Sequence, residues 1–235
     1  MASGGFLELK TYVLQTFGGK EQYMADLLAN TILEVHPDSA QRLYVPHRAY
    51  LKDVKKDGEK VWVKENRVLF TGYVFVESNQ IEKFNKHLYD PGFATPYMLV
   101  GKGSSRVAVG SGAIRRVVET GGIRSNRCQY VKVGIKPDRS QFEESDTSII
   151  PVSDADMKRL RMLMGEDEYV DVSRGIKENG RVRFTSGPLA GLDTGKIIKI
   201  NRHKRYATVQ TEFLGELRNI DVAIEVLSSM AGDAS

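Results

Sequence analysis

Apolar positions along the first hundred residues switch repeatedly between two periods. Tyr12-Val-Leu-Gln-Thr16 has the makings of a short strand closed by Gly18-Gly19, after which Met24, Leu27, Leu28, Thr31 and Ile32 fall on one face at helical spacing. Leu43 to Leu51 and Lys60 to Arg67 return to a strand pattern. The second sets Val61 and Val63 against Lys60, Trp62 and Lys64, and Asp57-Gly58 between the two runs is a hairpin signal. Val68-Leu-Phe-Thr-Gly-Tyr-Val-Phe-Val76 is apolar on both faces, which predicts one central strand. Asn79 and Glu82 have the spacing of a capping box and open a helix with Ile81, Phe84 and Leu88 on one face, stopped by Asp90-Pro91-Gly92. Tyr97 to Val100 gives one more strand. The order βαββ(β)αβ predicts an α+β domain, an antiparallel sheet with helices on one side.

Residues 101–150 change character. They are rich in Gly, Ser and Arg, with short β-like pieces at Arg106–Val109 and Gln129–Val133. Ser153 is placed to cap a helix carrying Met157, Leu160 and Met164 at spacings of three and four, and Gly165-Glu-Asp-Glu168 has the look of a polar linker. From Arg181 the chain is strand and turn. Val182 and Phe184 alternate, Ser186-Gly187-Pro188 turns, Ile197 to Ile200 is a strand, and Ala207, Val209, Thr211 and Phe213 alternate along the next. A last strand runs through Leu227. Five short strands in so short a segment predict a small barrel, because closure removes exposed edges.

Two stretches carry a family resemblance. Tyr12–Thr16 before a helix, together with Leu69-Phe-Thr-Gly-Tyr-Val-Phe-Val76, resembles the N-terminal (NGN) domain of the NusG family of bacterial transcription factors. Gly180-Arg-Val-Arg-Phe-Thr-Ser-Gly-Pro-Leu-Ala-Gly-Leu-Asp-Thr-Gly195, followed by Ile197-Ile-Lys-Ile200, resembles a KOW domain, an SH3-like barrel. The loop Asn201-Arg-His-Lys-Arg205 and the stretch Glu168–Ile176 are similar to the LoaP-type antitermination paralogues of that family. The pattern is broken at Thr11, where the family usually has Trp, at Thr71, where it usually has Pro, and by the insert 101–150. The resemblance implies an NGN-like domain over 8–167 containing that insert, a linker over 168–178 and a KOW domain over 179–228.

It also implies partners. In the family the NGN sheet grips the β′ clamp helices of RNA polymerase, and here Tyr12, Phe70, Gly72, Tyr73 and Phe75 are the candidate contacts. Along an unbroken strand Phe70 and Gly72 share one face while Tyr73 and Phe75 share the other, and whichever face the helices leave bare exposes aromatics. Gly72 admits close approach of a partner backbone. The competing reading for each of these residues is a core position. Phe213 is expected to fill the barrel; the alternative is the family's contact with Rho or a ribosomal protein.

Charge sharpens the C-terminal reading. The net charge is +4, but residues 101–150 carry 9 Lys+Arg against 5 Asp+Glu, and residues 172–227 carry 10 against 6. Lys199, Arg202, Lys204 and Arg205 place four fixed positive charges within seven residues at one tight turn. Arg forks onto phosphates and Lys adds a point charge, so an RNA hairpin is the expected ligand, with Asn201, His203 and Tyr206 as the available donors and stacking groups for bases. The insert, with its positive excess, makes upstream DNA a further candidate partner.

Other classes are disfavoured. The four histidines show no metal-binding spacing, Gly191-Leu-Asp-Thr-Gly-Lys196 lacks the spacing of a phosphate-binding loop, and no nucleophile–base pair stands out. No enzyme activity, metal or cofactor is expected. No run approaches the roughly 18 to 20 apolar residues of a membrane span, the N-terminus is unlike a signal peptide, and the single Cys128 suits a reducing compartment as a small apolar filler. The expectation is a cytoplasmic, monomeric elongation and antitermination factor. The alternatives are a general NusG-type factor whose KOW domain binds Rho or a ribosomal protein, and a ribosome-associated KOW protein.

Overall fold

The computed structural model describes residues 8–88, 98–100, 107–109, 114–117, 130–133, 149–165, 167–178 and 180–228. Cys128, Asp90-Pro91-Gly92 and most of the insert 101–150 lie outside the described residues. The chain divides into two compact units, residues 1–45 with 71–152, and residues 46–70 with 153–235. It is a mixed α+β protein with several sheets and few helices. Residues 46–70 fall in the second of these units.

The first unit is built on an antiparallel sheet. β1 (Lys10–Gln15), β5 (Tyr73–Ser78), β2 (Arg42–Tyr44) and β10 (Ile149–Pro151) stand in the order β10-β1-β5-β2. α1 (Glu21–Leu28) buries Met24, Ala25 and Leu28, and its apolar stripe runs on through a π-helical turn at Ala29–Leu33 to bury Ile32. α2 (Ile81–Leu88) buries Phe84 and Leu88. Ser78, rather than Asn79, serves its entry, the hydroxyl accepting the Gln80 N–H at 2.8 Å. Four short strands, β6 (Met98–Val100), β7 (Val107–Val109), β8 (Ile114–Val117) and β9 (Tyr130–Val133), pair consecutively, the last three within the insert.

The run 68–76 is not one strand. β4 (Glu59–Val68) ends before Leu69, and β5 begins only at Tyr73. Between them Gly72 turns at φ +87°, and a Cβ there would sit 3.3 Å from the Thr16 carbonyl. Its N–H donates to the buried Glu21 carboxylate at 2.6 Å, and its carbonyl accepts the Thr16 N–H at 2.9 Å. A continuous apolar run conceals a turn when the turn residue is Gly and its partner is a carboxylate distant in sequence.

The second unit opens with the hairpin of β3 (His47–Lys56) and β4, joined through Asp57 and Gly58, both at positive φ, as a two-residue turn of this kind demands. α3 (Asp154–Met164) is capped by Ser153, whose hydroxyl accepts the Asp156 N–H at 3.1 Å. β11 (Tyr169–Val170) pairs parallel with β3. A five-stranded sheet follows in the order β13-β12-β16-β15-β14, formed by β12 (Ser173–Glu178), β13 (Arg181–Ser186), β14 (Ile197–Asn201), β15 (Tyr206–Phe213) and β16 (Glu216–Ser228). Within residues 168–178, Tyr169–Val170 and Ser173–Glu178 are strand, and Ser173 to Lys177 run parallel to Ile224 to Ser228. Among the described residues no pairing joins β13 to β14, so the expected barrel is an open sheet in its hydrogen bonding. Gly187 explains part of the Gly-Pro-x-x-Gly motif. A Cβ there would meet the Val172 carbonyl at 2.5 Å and Ser173 Cα at 2.7 Å, while Ser173 Oγ accepts the Leu189 N–H and Leu189 is buried.

Candidate nucleic-acid interface

β14 and β15 pair in antiparallel register up to Asn201 opposite Tyr206, and Arg202 to Arg205 form the turn between them. Asn201 does not point to a ligand in this conformation. Its Oδ1 accepts the Lys204 N–H at 2.9 Å, a local bond that stabilises the turn. Arg205 adopts φ +53°, and its carbonyl accepts the Ile224 N–H at 2.9 Å, tying the tip to β16. Arg202, His203 and Lys204 are exposed, as is Lys199 on β14, while Arg205 is half-buried.

The density of charge sets this turn apart, four cations within seven residues. Elsewhere in the same unit several cations are neutralised: Lys52 by Glu65 at 3.1 Å, Lys64 by Asp171 at 2.6 Å, Arg174 by Glu225 at 3.1 Å and Arg183 by Glu178 at 3.1 Å. Burial pushes the Asp171 carboxyl up, but Lys64 and the Val172 N–H outweigh it and hold the group below its ordinary range. Among the described residues, Lys199, Arg202, Lys204 and Arg205 have no carboxylate partner. The Lys199 ammonium lies 5.9 Å from the Tyr206 ring centre, and the Arg205 guanidinium stands 4.6 Å from that of Trp62. Four like charges on one turn repel, and a bound polyanion relieves that repulsion.

The N-terminal candidates do not form one patch. Pairing sets Tyr12 opposite Val76 and Gln15 opposite Tyr73, so Tyr12 shares a face with Leu14, Val74 and Val76 while Tyr73 and Phe75 share the other. Tyr12 and Tyr73 are half-buried. Phe75 is fully buried, with the Tyr44 ring 5.3 Å away. Phe70 is 8% exposed and lies in the second unit, stacked on the fully buried Phe213 at 4.3 Å between centroids. The chain turns at Gly72, and Phe70 and Phe75 both pack inward. Gly72 has a sufficient structural reason in that turn.

The β3–β4 hairpin carries what sequence reading passed over. Arg67 lies 3.3 Å from the Tyr50 ring centre, Lys60 5.3 Å from that of Trp62, and Lys64 5.1 Å from that of Tyr169. The alternation Lys60-Val-Trp-Val-Lys64 was the available signal, since it sets the cations and Trp62 on one face. What it lacked was any hint that the Arg205 turn lies beside them.

No protein-family profile matches the chain, and no curated protein matches it. Among solved structures it is similar to NusG of Thermotoga maritima, described for its domain interaction, with 18% identity over 93% of this chain and 96% of that one. The TM-score is 0.40, too low to transfer anything from that protein to this chain.

Proposed function

We propose that the chain is a NusG-type transcription elongation factor that holds RNA through the turn Asn201–Arg205 with Lys199 and suppresses pausing and termination. The observation that supports it most is the set of four cations at Lys199, Arg202, Lys204 and Arg205 with no carboxylate partner among the described residues. A-form RNA presents its phosphates and a wide minor groove, which a protruding cationic turn can straddle. The transcription half of the reading rests on the sequence: the Leu69–Val76 and Gly180–Gly195 motifs resemble those of NGN and KOW domains and occur in that order, and the Asn201–Arg205 loop resembles that of the LoaP paralogues. Bound RNA would raise the factor's local concentration at its own polymerase, and docking on the clamp would favour the closed, elongating enzyme.

A transcription assay across a terminator placed behind a hairpin-bearing leader tests this reading. Read-through is expected to rise with the protein and to fall back with Arg202→Ala/Lys204→Ala/Arg205→Ala. Unchanged read-through in both cases overturns it. A second reading, RNA binding without polymerase contact as in a ribosome-associated KOW protein, is favoured by the inward packing of Phe70 and Phe75 and the split of Tyr12 from Tyr73. Polymerase pull-down separates the two: loss of capture with Tyr73→Ala supports docking through that strand, and absence of capture by the unaltered chain supports the second.

A further inference from the structure

A cleft of about 240 Å³ opens beside the basic turn, within the second unit. Leu51 and Val172 give it an apolar lining, Trp62 a flat aromatic surface, and Arg205 a guanidinium. Two other cations border it, Lys64 and Arg174, but each is held by a carboxylate, Asp171 and Glu225 respectively, that also lines the cleft. Arg205 alone among these three cations has no carboxylate, so its fork of donors beside Trp62 is uncommitted. It also lines a second hollow, together with Arg202. The cleft and the cationic tip are therefore continuous through one side chain.

We propose that the cleft between Trp62 and Arg205 is a subsite for a single unpaired nucleobase, adjoining the RNA that the Arg202–Arg205 turn holds by its phosphates. This rests on the RNA-binding reading and adds to it a class of ligand, a stem with a single-stranded flank. The volume is below the roughly 300 Å³ at which pockets for larger ligands begin, so it suits one ring system. An indole and a guanidinium both stack on bases, and an uncommitted Arg fork donates to acceptors such as guanine O6 and N7. The carboxylates of Asp171 and Glu225 supply acceptors for exocyclic amino groups, and they repel a phosphate, which separates base from backbone within a few ångströms. A solvated surface that merely balances its charges has no reason to leave this one guanidinium beside the aromatic ring unpaired.

Trp62 is the only tryptophan in the chain, so its fluorescence reports on the cleft directly. The experiment titrates the full chain with a blunt RNA hairpin and with the same hairpin carrying a single-stranded purine tail. The tailed RNA is expected to quench Trp62 and to bind about tenfold more tightly, the size of one base-stacking contact. Trp62→Phe, which keeps a ring but loses the broad indole face, is expected to lose most of the tail's advantage while still binding the blunt hairpin. If both RNAs bind alike and leave the fluorescence unchanged, the subsite is overturned and the cationic tip stands. If neither RNA binds, the RNA-binding reading falls with it.

Discussion

Glu21 organises the approach to β5. Its Oε1 accepts the Gly72 N–H at 2.6 Å and the Gly19 N–H at 3.0 Å, and the residue is 2% exposed. Glu21→Ala removes the acceptor and strands the Gly72 amide, at a cost of roughly 1–3 kcal/mol, while the exposed Gly19 amide turns to water. The expected loss is about 1–3 kcal/mol, read as a lowered urea midpoint; a change under about 0.5 kcal/mol would contradict the role. Lys64 and Asp171 make a weaker, pH-dependent contribution. Asp171 is held below its ordinary value of 3.8, so its part is complete above that pH and fades as pH falls further. Lys64 is raised above 10.5 chiefly by its hydrogen bond to Asp171, so its part is complete below that pH and is lost as pH rises past it. The pair is about half exposed, which limits it to below about 1 kcal/mol. Asp171→Asn should therefore destabilise slightly at neutral pH and not at all well below pH 3.8.

The elements differ in how openly the sequence declares them. α3 announces itself through Ser153 and the spacing of Met157, Leu160 and Met164, and the β3–β4 hairpin through Asp57-Gly58, because caps and turns are local chemistry. The break at Gly72 was hidden, since its cause is a carboxylate 51 residues away. β12 was hidden too: Ser173-Arg-Gly-Ile has no clean alternation and becomes a strand by parallel pairing with the far end of β16. The basic turn was fully legible as charge, but the neighbourhood of Trp62 and Arg205 was not, because it joins elements more than a hundred residues apart. Phe213 was expected as barrel filler, and it is buried at the end of β15, where Leu214 and Gly215, both at positive φ, turn the chain into β16. Its stack on Phe70 makes Phe213→Ala costly, roughly 3–5 kcal/mol. Thermal or urea unfolding checks this, and a loss below about 1 kcal/mol would show that the ring contributes little.

The first unit holds an antiparallel sheet and the second is strand-rich, and in the second Lys199, Arg202, Lys204 and Arg205 stand together with no carboxylate partner among the described residues. RNA held by phosphate contacts gives up counterions, so affinity falls with salt in proportion to the contacts made. The decisive measurement is that salt dependence, with a blunt RNA hairpin and the full chain. Four contacts from Lys199, Arg202, Lys204 and Arg205 predict a slope of log affinity against log salt of about −3, and Arg202→Ala/Lys204→Ala/Arg205→Ala should bring it to about −1 or shallower. A slope near zero for the unaltered chain, or one that the triple substitution leaves in place, would contradict the assignment of RNA binding to this turn.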